Sequence, residues 1–84
     1  MEKFYSIEVT SDHGRVPFHY FKDYSNAKEK YMAMYNSFKA MMKAPRTRWT
    51  KGQTCYGGVV IEGVTIKDTQ GTMTIEIIEH NFSD

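Results

Sequence analysis

The chain changes its hydrophobic period twice, and this constrains its fold more than any other feature of its 84 residues. From Phe4 to Thr10 the residues alternate, with Tyr5, Ile7 and Val9 on one side and Ser6, Glu8 and Thr10 on the other. A period of two with one apolar side predicts a half-buried strand over 4–10. Ser11-Asp12-His13-Gly14 then reads as a turn. Residues 15–22 alternate again and place Val16, Phe18 and Tyr20 together. Pro17 has no N–H to give to a ladder, so this second strand belongs at a sheet edge.

The period then becomes helical. Ala27, Tyr31, Met34, Tyr35, Phe38, Met41 and Met42 form one apolar stripe, and Lys28, Lys30, Asn36, Lys39 and Lys43 cover the remainder. The spacing predicts a helix over 26–43. Ser25 or Asn26 would cap it, and Asn26 with Glu29 has the form of a capping box. Pro45 disfavours helical backbone at Ala44, which sets the stop near Lys43.

Alternation returns over 59–67 and 72–79. A bulge at Gly63 would keep Val59, Ile61, Val64 and Ile66 inward, with Glu62 and Thr65 outward. Lys67 to Thr72 reads as a hairpin turn, Met73, Ile75 and Ile77 face in, and His80 to Asp84 is left as a short tail. The order ββαββ predicts a single α+β domain over 1–84: a four-stranded antiparallel sheet with one long helix packed on one face. The opposite face would carry Ser6, Glu8, His19, Phe21, Val60, Glu62, Thr65, Thr74, Glu76 and Ile78. Phe21, Val60 and Ile78 would cluster there, as a contact site or under a second copy of the chain. The sheet edge that lacks Pro17 would be open to strand addition.

Composition narrows the function classes. Cys55 is the single cysteine, so no internal disulfide forms, which points to a reducing, cytoplasmic setting. No apolar run is long enough for a signal peptide or a membrane span, and no membrane partner is expected. His13, His19 and His80 do not have ligand spacing, so no metal or other cofactor is expected. Cys55 has no base identifiable beside it and reads as an incidental thiol. Gly57-Gly58 lacks the ending of a phosphate loop. These residues supply no catalytic set, and the chain reads as a non-enzyme.

The formal net charge is only +1, yet the charge is unevenly spread. Lys39, Lys43, Arg46, Arg48 and Lys51 follow one another with no acid between them, whereas Glu62, Asp68, Glu76, Glu79 and Asp84 are offset by Lys67 alone. Such a dipole steers partners. The basic segment, read as a loop over 44–56, also holds Trp49 and Tyr56. Tryptophan and arginine dominate protein-interface hot spots. Cations with an aromatic also suit nucleic acid, through phosphate contacts and base stacking. The expected partner-binding set is therefore Lys39, Lys43, Arg46, Arg48, Trp49, Lys51 and Tyr56. Folding of Trp49 back onto the helix end or the sheet is the structural alternative.

In general character the chain resembles small bacteriophage-encoded proteins: one compact α+β domain rich in Met, Tyr, Phe and Lys, with one cysteine. Anti-CRISPR proteins are among them. The resemblance implies binding and blocking of a larger host protein or defence complex in the host cytoplasm, such as one that handles nucleic acid. A nucleic-acid-binding accessory protein using the same loop is the second expectation. A structural or assembly subunit is the third, with the chain a monomer or a homodimer.

Overall fold

The computed structural model describes residues 3–52, 54–55 and 58–81, and at Pro17, Phe18, Thr54 and Cys55 the backbone alone. The elements run β1 (Lys3–Ser11), β2 (Gly14–Phe21), α1 (Tyr24–Met41), β3 (Arg46–Thr50), β4 (Thr54–Cys55), β5 (Gly58–Asp68) and β6 (Gly71–Asn81). The strands form one antiparallel sheet in the order β2-β1-β6-β5-β3, and β4 pairs with a further stretch of β5. The class is α+β, with one helix on one face.

The sheet has six strands rather than four. Both additions come from the segment expected to be a basic loop. Arg46, Thr47, Arg48, Trp49 and Thr50 pair with Lys67, Ile66, Thr65, Val64 and Gly63 in turn. The alternation that makes this a strand was legible: Thr47 and Trp49 share a side and suit a pleated, half-buried surface. The density of cations obscured it, because arginines on a solvated strand face look the same in sequence as arginines in a loop. At 11 residues, β5 is long enough to hold β3 and β4 along one edge.

The core lies between α1 and the sheet. Ile7, Val9, Val64, Ile66, Ile75 and Ile77 from three strands meet Ala27, Tyr31, Met34 and Tyr35 from the helix, with Phe38 and Met42 packed at the margin. Each large aliphatic side chain sealed here contributes about 1.5–3 kcal/mol. Met41, assigned to the stripe by its spacing, is instead 70% exposed. The helix runs two residues earlier at each end than the stripe predicts. Asp23 is its N-cap, and the Asn26 amide donates to Asp23 Oδ2 at 3.4 Å, so the expected capping box does not form. At the other end Met42 is already extended, and Ala44 takes a left-handed φ of 45° just before Pro45.

Two bulges set which residues face the helix. In β2 the register with β1 shifts at His19, whose φ is 20°. Phe21 therefore lies opposite Tyr5 and packs on the core, while Tyr20 lies opposite Ser6 on the far face. Both placements reverse the simple alternation, because one extra residue inverts every side chain beyond it. In β5 the shift falls between Val60 and Glu62, not at Gly63. Ile61 and Glu62 are then both on the helix side, and Glu62, expected outward, pairs there with Lys28 of α1. Val59, expected inward, is 42% exposed.

The two hairpin turns meet at one end of the sheet. Asp68 Oδ1 accepts from the N–H groups of Gln70 and Gly71 at 2.8 and 3.0 Å, which closes the β5–β6 turn. Asp12 Oδ2, from the β1–β2 turn, accepts from Thr72 N at 3.2 Å and ties the hairpins together. At the other end His80 and Asn81 extend β6 and are not part of a tail.

Candidate docking surface

Among the described residues no element crosses the sheet face opposite α1. The register arranges that face in zones. Phe4, Ser6, Tyr20, Val60, Ile78 and His80 share one end; Glu8 and Glu76 are neighbours in the middle; Thr10, Thr74, Thr65 and Arg48 form the next row; Thr72, Lys67 and Arg46 form the last. The first zone is not the open apolar patch expected. Phe21 is on the other side, and Val60 and Ile78 are only 2% and 1% exposed. The Phe4 and His80 rings stack there at 4.5 Å, and His80 Nε2 lies 2.8 Å from the buried Ser6 hydroxyl.

The acidic block of the sequence is largely neutralised by cations brought in from the first third of the chain. Glu62 pairs with Lys28, Glu79 with Lys3 at 3.4 Å, and Arg15 lies 3.1 Å from Glu8 and 3.9 Å from Glu76. Burial raises the Glu76 carboxyl above the ordinary range, with Arg15 opposing and Glu8 adding to the rise. The basic block receives no such compensation: among the described residues no ion pair engages Lys39, Lys43, Arg46, Arg48 or Lys51. Among the described residues, the apparent dipole of the sequence therefore becomes, in three dimensions, a positive margin centred on β3 without ion-pair partners.

Alternation along β3 divides that margin between two sides. Arg46 and Arg48 occupy the open face, beside Lys67 and Thr65 respectively. Thr47 and Trp49 occupy the helix side, beside Ile66 and Val64. The Trp49 ring lies 5.1 Å from Tyr35 and 6.4 Å from Tyr31, yet the residue stays 53% exposed. It thus closes the core margin with one surface and presents another to solvent. Lys39 Nζ stands 5.6 Å over the Tyr35 ring, so helix and strand contribute to one basic, aromatic edge. Thr47 beside the Tyr35 hydroxyl, with Lys39, lowers that phenol below its ordinary range. An open depression of about 350 Å³ lies at the far end of β3, lined by Trp49, Thr50, Lys51, Glu62 and Gly63.

The expected binding residues are therefore brought together only in part. Lys39, Arg46, Arg48, Trp49 and Lys51 lie on or beside β3, and Lys43 is exposed in the connection that enters it. Tyr56 lies outside the described residues, as does the Cys55 side chain. Lys67 was missed. It joins Arg46 by register across β5, a relation between positions 21 apart that local sequence does not signal. Among the described residues no group of three or more His, Cys, Asp and Glu side chains is placed to hold a metal ion, and no helix is long and apolar enough to cross a membrane.

Chain and fold together define a small α+β domain with a basic edge. Compared with known proteins, the chain matches no family model, no curated protein and no solved structure.

Proposed function

We propose that this protein is a non-enzymatic binding module that docks on an acidic surface of a larger protein through β3 and the end of α1. The observation that carries the reading is the placement of Arg46 and Arg48 on an uncovered sheet face with no ion-pair partner among the described residues, beside a half-exposed Trp49 on the same strand. Arginine and tryptophan are the residue types that most often carry interface energy. Steric or electrostatic blocking of the partner, in the manner of phage-encoded inhibitors of host or defence proteins, is the mode of action this surface suits.

The test is capture on the immobilised chain, with a double variant Arg46→Glu/Arg48→Glu in parallel. A partner held by the wild type and lost by the variant is the expected result. Equal retention by both overturns the reading.

A second reading is favoured by one observation. Lys67 stands beside Arg46 on the open face, so three cations share a surface broad enough to follow a phosphate backbone. An accessory nucleic-acid-binding protein would show affinity falling with salt, with a log–log slope of about −2 to −5 if three to five phosphates are met. Charge reversal at Arg46 and Arg48 would then weaken binding to all sequences alike.

A further inference from the structure

We infer that the open edge of β3 receives an extended strand of the partner, with acidic side chains at alternate positions. This inference rests on the protein-docking reading above and specifies how docking occurs.

Three observations converge on that edge. First, β3 pairs with β5 on one side only and ends the sheet. In an antiparallel pair every second residue turns its N–H and C=O away from the neighbour. Over five residues this leaves a short ladder of backbone groups with no strand partner among the described residues. Second, the opposite edge is poorly suited to the same use. Pro17 there lacks an N–H, and the register shift at His19 breaks the line of the strand.

Third, the side chains on β3 specify what an incoming strand must carry. One face offers Arg46 and Arg48, the other Thr47 and the exposed part of Trp49. An added strand shares both faces, because cross-strand neighbours sit side by side. Its residues on the open face meet guanidinium groups and must be acidic. Those on the helix side meet indole and must be apolar. A second copy of this chain fails the requirement. Pairing β3 with itself about Arg48 places two arginines directly opposite. Shifting the centre to Trp49 still gathers Arg46, Arg48 and Lys51 of both copies, and like charges across strands destabilise.

The probe is a ten-residue peptide of alternating Glu and Val, titrated onto the full chain at low salt. Trp49 fluorescence and amide hydrogen exchange are the readouts. Two further peptides carry N-methyl groups on every Glu or on every Val, since either set blocks one edge of the strand. The expected result is saturable binding, exchange slowed about tenfold or more at alternate residues of β3, and loss of binding with one methylated set only. Arg46→Glu/Arg48→Glu should weaken binding about tenfold or more.

Equal binding of all three peptides, with β3 exchange unchanged, overturns strand addition and leaves side-chain docking standing. Peptide binding that is unaffected by Arg46→Glu/Arg48→Glu overturns both readings. Failure of every peptide together with tight, salt-sensitive binding of single-stranded DNA also overturns both, in favour of nucleic acid. Failure of peptides and DNA alike overturns both as well.

Discussion

The Tyr35 and Trp49 rings meet at 5.1 Å and 52°, and this contact joins α1 to the edge strand whose arginines have no ion-pair partner among the described residues. Aromatic pairs of this kind contribute about 0.5–1.5 kcal/mol beyond the area they bury. The pair therefore couples the stability of the domain to the shape of its docking edge.

Trp49→Ala should lower stability by about 1–2 kcal/mol, since the residue is already 53% exposed and only the remainder of its burial is lost. Thermal denaturation is expected to shift down by about 5–15 °C for a domain of this size. Arg46→Glu and Arg48→Glu, on an exposed face, should each stay within about 0.5 kcal/mol of wild type. A large loss in either arginine variant would place those side chains in the packing rather than on a free surface.

The Lys28–Glu62 pair spans helix and sheet, and its two halves should not be equivalent. Lys28→Ala leaves an ionised carboxylate half-buried without its cation and should cost about 1 kcal/mol or more. Glu62→Gln removes the burdened charge and should cost less. Burial raises the carboxyls of Glu62 and of Glu76 above the ordinary value. For an acid held more tightly protonated when folded, the associated stability is fully present below the unfolded value of about 4.3. It is lost as pH rises through the folded value. Urea melts from pH 4 to 7 should show that loss, reduced in Glu62→Gln and Glu76→Gln.

Tyr31 is fully buried, and its hydroxyl has no hydrogen-bond partner among the described residues. Burial, with Glu76 and Tyr35 adding to it, pushes this phenol well above its usual range. Tyr31→Phe should therefore be neutral or stabilising by up to about 1 kcal/mol. Wild type should lose stability above about pH 10, where the unfolded phenol ionises and the folded one does not. The Phe variant should lose less. A marked destabilisation in chemical denaturation would mean that the hydroxyl has a partner after all.

Gly58 opens β5 where there is no room for a side chain. A Cβ there would sit 2.6 Å from Ile78 Cγ2 and 2.7 Å from the Glu79 carbonyl oxygen. Because backbone cannot yield as a flexible side chain does, Gly58→Ala should cost about 1–3 kcal/mol. Differential scanning calorimetry would register this as a lower melting temperature.

The sequence by itself determined the layers. The 3.6-residue stripe of Ala27, Tyr31, Met34 and Tyr35 and the two-residue alternation of Ile7, Val9, Ile75 and Ile77 are local properties, and each dictates its element and buried side. Tertiary structure decided everything that depends on one extra residue or a distant neighbour. The bulges at His19 and Ile61 invert side-chain direction without a mark in composition, which exchanged Tyr20 with Phe21 and turned Glu62 toward Lys28. Whether Arg46 to Thr50 is loop or strand was settled by β5, which alone supplies a paired edge and the Val64 and Ile66 surface for Trp49 and Thr47. The sign of the docking margin arose in the same way. Lys3, Arg15 and Lys28 fold onto the acids of β5 and β6, whereas the register sets Arg46 beside Lys67 and Arg48 beside Thr65, and among the described residues neither arginine forms an ion pair.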